Sequence, residues 1–214
     1  NVLSTAGATL TARVYRPDGQ LLHGPASLAY IDLADLPQTG TYTLLVEGRG
    51  DAGNAQFTAE VLEVIDTETT LTIGATTSGH IDPGSQTVHR FTLATDRKLT
   101  FDTLSNLSTL NWSLTGPRGI EVSARNFAFS DSYEMYSGNV LDLPAGDYEL
   151  RVDGNGDVAA DYAFRLLDIA DAASIALDAT VSGSLDALET NAYRFTGAAG
   201  DQIEIQKLVG DGAG

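Results

Sequence analysis

The segment Leu36-Pro37-Gln38-Thr39-Gly40-Thr41-Tyr42-Thr43-Leu44-Leu45-Val46-Glu47-Gly48 returns as Leu143-Pro144-Ala145-Gly146-Asp147-Tyr148-Glu149-Leu150-Arg151-Val152-Asp153-Gly154, with Tyr42 and Tyr148 106 residues apart. A second pair of segments, Thr70 to Ile81 and Ser174 to Leu185, keeps a spacing of 104, as do Arg90-Phe91 and Arg194-Phe195. A period this long exceeds a solenoid unit and describes a whole domain repeated in tandem. Its phase is unusual. Residues 1–66 match only the second half of a unit, residues 67–170 form one complete copy, and residues 171–214 match only a first half. The two halves together make about one further unit. They meet within one chain, or each completes a half supplied by a neighbouring chain, linking chains head to tail by strand complementation. A third reading is an excerpt of a longer array, cut in a loop such as Gly210-Asp211-Gly212-Ala213-Gly214.

Local patterning is that of strands. Tyr148, Leu150 and Val152 point one way while Glu149, Arg151 and Asp153 point the other, and Tyr162, Phe164 and Leu166 repeat the alternation. Further strands are expected at 11–16, 57–64, 70–73, 89–93, 99–103, 112–115 and 203–206, and Phe127 and Phe129, alternating with Ala128, look like strand core. Turn chemistry separates several of them, at Pro17-Asp18-Gly19, Asp82-Pro83-Gly84-Ser85, Gly116-Pro117-Arg118-Gly119 and Asp153-Gly154-Asn155-Gly156-Asp157. No long stretch carries a helical stripe. Short strands with such punctuation predict an all-β chain of tandem β-sandwich domains.

Composition narrows the chemistry. The 214 residues include no cysteine, which excludes disulfides, thiolate metal sites and thiol nucleophiles. Twenty Asp and nine Glu against ten Arg and two Lys give a formal charge of −17, so nucleic acid and anionic membrane are poor partners. The Asp-led acidity suits salty or calcium-rich extracellular surroundings. No apolar run approaches the roughly 20 residues of a membrane span, and the first residues carry neither a basic nor an apolar signal region.

The two Leu-Pro-x-Gly-x-Tyr-type segments, the Tyr193-Arg194-Phe195 and His89-Arg90-Phe91 strands, Ile203-Glu204-Ile205 and the Tyr162-x-Phe164 strand together resemble the bacterial pre-peptidase C-terminal domain family. The resemblance covers the complete copy and most of both halves. It implies jelly-roll-like sandwiches in secreted bacterial proteins, placed after protease domains or in surface arrays, with calcium or an insoluble polymer such as collagen bound by some relatives. It therefore implies an accessory or structural role.

The best metal candidate is Asp153, Asn155 and Asp157, oxygen-bearing side chains alternating with glycines that let backbone curl around Ca²⁺. The competing reading is a plain hairpin turn, since Asp-Gly and Asn-Gly are turn formers. In the other copy Arg49 stands where Asn155 does, so that loop should bind poorly. Asp142, Asp147, Asp168 and Asp171 are additional acidic ligands or solvated charge. Arg49-Gly50-Asp51 matches a receptor-binding tripeptide that arises easily by chance. Trp112, the only tryptophan, is a candidate sugar platform or a core residue, with Tyr30, Tyr133 and Tyr136 as other contact candidates.

Catalysis finds little footing. His23, His80 and His89 form no metal-ligand spacing, no Gly-x-Ser-x-Gly elbow occurs, and the possible His80–Asp82 pair sits in a turn. The sequence thus predicts a non-catalytic structural or adhesive segment of an extracellular bacterial surface protein or fibre. Its expected partners are copies of itself or adjacent repeats. The alternative is a calcium-assisted module that anchors a secreted hydrolase to polysaccharide or a collagen-like polymer.

Overall fold

A computed structural model describes residues 2–6, 9–28, 31, 33, 36–49, 55–63, 65–131, 139–156 and 158–208. Its strands are β1 (Val2–Ala6), β2 (Thr9–Tyr15), β3 (Leu21–Ser27), β4 (Thr43–Arg49), β5 (Gln56–Ala59), β6 (Thr67–Thr70), β7 (Thr77–Ile81) and β8 (Gln86–Leu93). They continue as β9 (Arg97–Thr103), β10 (Leu110–Gly116), β11 (Gly119–Asn126), β12 (Val140–Leu143), β13 (Gly146–Gly154), β14 (Ala160–Asp168), β15 (Ala173–Ser174) and β16 (Tyr193–Arg194). The chain is all-β, as its patterning predicts, and no helix among the described residues is long and apolar enough to cross a membrane.

Two sheets make the main body. One runs β11-β10-β13-β8-β6 and the other β12-β9-β14-β7. Every ladder in them is antiparallel except β6 with β8. Only the β10–β11 connection stays within a sheet, so the chain closes a sandwich from residues remote in sequence. The period-2 alternation explains which faces meet: Tyr148, Leu150 and Val152 of β13 and Tyr162, Phe164 and Leu166 of β14 are buried, with their intervening neighbours on the outer faces. Between the sheets Phe101 stacks on Trp112 at 4.2 Å and on Phe164 at 4.9 Å, and meets Phe127 edge-on at 5.4 Å. Such aromatic pairs add about 0.5–1.5 kcal/mol each beyond their area.

Tyr148 shows how sequence fixes a corner. Its hydroxyl donates to Pro144 O at 2.6 Å, while its ring stacks on Phe91 at 5.0 Å and lies against Gly116, where a Cβ would collide with it. Gly146 has φ +148° and packs against Pro117. A tyrosine bonding backbone a few residues upstream is a recurrent sandwich corner.

The amino-terminal segment has a three-stranded sheet, β3-β2-β4, and a β1–β5 pair. Its small apolar cluster holds Leu10, Ala12 and Leu28, with Ile31, Val46 and Ala55 packed alongside. Residues 175–192 and 195–208 form no strand or helix, and β15 and β16 pair parallel for two residues.

Some local expectations change. The strand predicted at 70–73 ends at Thr70, where Thr72 to Ala75 turn instead. The one predicted at 57–64 stops at Ala59, and residues 203–206 are not a strand. Phe127 and Phe129 belong to a 3-10 turn, capped by Asn126, whose side chain accepts from Ala128 N at 3.0 Å. The turn buries Phe127 and turns Phe129 outward, because its three-residue period breaks the strand alternation.

Candidate functional site

The predicted calcium loop follows β13, and because the next strand, β14, lies in the other sheet it is not the turn of a hairpin. Asn155 N donates to Thr109 O at 2.8 Å, Asn111 Nδ2 donates to Asn155 Oδ1, and Gly156 takes φ +80°. Both bonds tie Asn155 to the start of β10, and the Asn155 oxygen that a cation would claim already faces an amide donor. Asp153 stands at the end of β13, and Asp157 lies outside the described residues. Among the described residues no three His, Cys, Asp or Glu side chains converge as a metal site.

The other predicted acids are held by neighbours on different strands. Asp168 accepts from Arg97 at 2.9 Å, Asp142 lies 3.7 Å from Lys98, and Asp147 accepts from Thr92 Oγ1 at 2.6 Å. Asp96, Arg97, Lys98, Asp142 and Asp168 line one shallow cleft of about 620 Å³, in which Asp142 and Asp168 are matched by cations and Asp96 accepts from Ala145 N at 3.0 Å. Asp171 ends a 3-10 turn (Ile169–Asp171) and is exposed.

Trp112 corrects the ligand-contact expectation. It is 1% exposed, its indole N–H donates to Ser130 Oγ at 2.7 Å, and the Arg125 guanidinium sits 5.3 Å from the ring centroid. One face is taken by Phe101, so no ring face remains for a sugar. Burial satisfied by one N–H bond is the ordinary state of a core tryptophan. Tyr30, Tyr133, Tyr136, Gly50 and Asp51 lie outside the described residues, as does the Arg49 side chain.

His80 and His89 sit in opposite environments. His80 is exposed, and its Nδ1 lies 2.7 Å from Asp161 Oδ1, while the Asp82 partner expected from sequence is farther, at 3.5 Å. The Asp161 hydrogen bond raises the His80 pKa. His89 is buried between the sheets, with Nδ1 2.6 Å from Thr69 Oγ1 and Nε2 2.8 Å from Tyr162 Oη. Burial pushes its pKa down to about 4, so the ring is neutral and each hydroxyl complements one nitrogen. A sealed neutral imidazole without a carboxylate partner is a packing element.

Charge groups missed by sequence reasoning tie segments together. Arg90 on β8 bonds Glu68 on β6 at 2.9 Å and Glu149 on β13. Arg165 donates to the buried Asp102 at 2.8 Å through Nε, and reaches Glu189 Oε1 and Thr190 O at 3.1 Å each. Arg194 donates to Ala170 O at 2.9 Å, and Asp66 Oδ2 accepts from Gln86 Nε2 at 2.7 Å. Only the outward phase of Glu149 in its strand hinted at any of this.

The remaining surface of interest is made of strand edges and exposed apolar side chains. Among the described residues β4 pairs only with β2, whereas β13 pairs with both β10 and β8. Leu44 on β4 is 40% exposed, while Leu150 on β13 is fully buried. Tyr193, Phe195, Ile203, Ile205 and Leu208 are likewise exposed.

No family model matches the chain, and no curated protein does. Solved structures do. Salmonella Typhimurium PliG, a periplasmic lysozyme inhibitor of g-type lysozyme, aligns at 21% identity over 48% of this chain and 98% of that one, with a TM-score of 0.38. A mutant of the corresponding Escherichia coli inhibitor aligns at 20% identity over 47% and 96%, with a TM-score of 0.34. The pre-peptidase C-terminal domain of Bacillus anthracis collagenase aligns at 14% identity over 50% and 99%, with a TM-score of 0.34. This chain is similar to these domains in part of its length.

Proposed function

We propose that the chain is a non-catalytic structural segment of a bacterial extracellular surface protein or fibre, built from repeated β-sandwich units that act as spacers. The observation that carries this reading is a shared register. In β2 and β4 the opposed pairs are Leu10 with Gly48, Ala12 with Val46 and Val14 with Leu44. In β10 and β13 they are Leu110 with Gly154, Trp112 with Val152 and Leu114 with Leu150. The corner recurs with it, since Tyr42 Oη donates to Gln38 O at 2.7 Å and Gly40, at φ +154°, packs against Pro17. Sequence similarity that extends to register and corner fits a duplicated unit. The ion pairs support a mechanical role as well, because Arg97–Asp168, Arg90–Glu149 and Arg165–Asp102 each join two strands.

The test is a binding and mass measurement on the 214-residue chain. Beads of collagen and of bacterial polysaccharide, with Ca²⁺ and then EDTA, should retain none of it. Retention that Ca²⁺ promotes would replace this reading with that of a polymer-anchoring module.

A further inference from the structure

The central sandwich contains a template for pairings that both flanking segments leave unmade among the described residues. There β8 lies between β6 and β13, with Phe91 opposite Tyr148, Arg90 opposite Glu149, His89 opposite Leu150 and Thr87 opposite Val152. The carboxy-terminal segment reproduces the β6 side of this arrangement. Ser174 pairs with Arg194 as Thr70 pairs with Arg90, and Ile175 N donates to Arg194 O at 2.9 Å as Leu71 N donates to Arg90 O at 2.8 Å. Among the described residues nothing pairs with the other edge of β16. The amino-terminal segment supplies the complement, β4, whose edge equivalent to the β8-facing edge of β13 is also unpaired among the described residues.

Side-chain exposure follows the same template. Phe195 is 44% exposed where its counterpart Phe91 is 6% exposed. Phe57 to Val61 aligns with Tyr162 to Leu166, and Ile205 with Phe101; Val61 and Ile205 are 88% and 85% exposed, whereas Leu166 and Phe101 are each 1% exposed and oppose one another across β14 and β9. Within the chain the root of β16 is held elsewhere: Arg165 binds Glu189 and Thr190 O, and Arg194 binds Ala170 O, all at the end of the central sandwich.

We propose that β4 of one copy accepts residues 190–197 of a second copy as an antiparallel strand, in the register Tyr42 to Phe195, Thr43 to Arg194, Leu44 to Tyr193 and Val46 to Asn191. Residues 203–205 of that second copy then extend along 61–63, setting Ile205 against Val61, and the two half-sandwiches close into one. This deepens the structural-segment reading and rests on it. The Tyr42 ring is already held for stacking, because its hydroxyl donates to Gln38 O and accepts from Gln38 N at 3.0 Å. No two like charges fall opposite each other in this register, although each segment is acidic overall. Main-chain bonds along an open edge supply affinity, and buried alternate side chains set the register.

The absence of cysteine allows a clean test. Thr43→Cys and Arg194→Cys lie on the outer face, and directly opposed residues of an antiparallel pair bring Cα atoms to about 5 Å, within disulfide reach. A mixture of the two single variants, with oxidised glutathione taking the two electrons and two protons released, should form the mixed disulfide dimer. The yield should exceed at least tenfold that of Thr43→Cys mixed with Thr196→Cys, two residues out of register. Light scattering should show mass rising with concentration, and Phe195→Asp should abolish that rise while the main melting transition of the central sandwich stays in place.

A mass fixed at 22.5 kDa, with cross-linking no better than the out-of-register pair, overturns the exchange and leaves an isolated spacer. A bridge within one chain of the double variant at extreme dilution also overturns it, by assigning the edge to the chain's own tail. Polymer binding in the bead assay overturns the structural reading itself, whatever the mass.

Discussion

His89 allows the packing account to be checked by titration. Its imidazole is sealed between the sheets, hydrogen-bonded on both nitrogens, and has a pKa near 4 against 6.5 for the free side chain. Between these values the unfolded chain binds a proton that the folded chain refuses. Stability is therefore complete above pH 6.5 and falls as pH drops through the interval. Below about 4 both states are protonated and this loss stops. One proton changes unfolding free energy by up to about 1.4 kcal/mol per pH unit, so the interval is worth about 3 kcal/mol. Urea unfolding of the chain and of His89→Gln, at pH 7 and at pH 4.5, isolates this residue from the acidic groups common to both. The difference in stability between the two proteins should change by about 2–3 kcal/mol, in the direction that disfavours the histidine at low pH. Parallel pH profiles would refute the assignment of a buried, neutral His89.

His80 should behave oppositely, titrating above 6.5 by NMR, because Asp161 stabilises its charged form. Its contribution is present below 6.5 and is lost as pH rises through the raised value, and Asp161→Asn should bring the titration down. Gly116→Ala should cost about 1–3 kcal/mol by overpacking against the Tyr148 ring, and Trp112→Ala about 3–5 kcal/mol, each read from urea midpoints. Arg165→Met leaves the Asp102 carboxylate buried without its cation and should cost about 3–5 kcal/mol, of which Asp102→Leu in the same chain restores most. Calcium at 153–157 would raise the melting temperature, and Asp153→Ala would remove the rise; equal melting in Ca²⁺ and EDTA removes the ion from the account.

The sandwich was legible where one face of a strand is apolar and the other is not, as in Tyr148-Glu149-Leu150-Arg151-Val152 and Tyr162 to Leu166. The burial free energy there depends on period alone. β7 and β12 were not legible, because Thr77-Ser78-Gly79-His80 and Val140-Leu141-Asp142-Leu143 are too short or too polar to show a period and are strands only by pairing with β14 and β9. Trp112 shows a second limit, since a lone aromatic reads equally as platform or core until its partners are known. Phe101, Ser130 and Arg125 decide the matter from three other elements. The ion pairs Arg165–Asp102 and His80–Asp161 join residues far apart in sequence, so no local spacing could announce them.

The completion of one half-sandwich by the other is most directly tested by hydrogen exchange on the unmodified chain over a wide concentration range. The account predicts that amides of 43–47 and 190–197 gain protection together as concentration rises, while the β8, β10, β13 and β14 amides remain equally protected throughout. Protection of 43–47 and 190–197 that is independent of concentration, or absent even in concentrated solution, would contradict it.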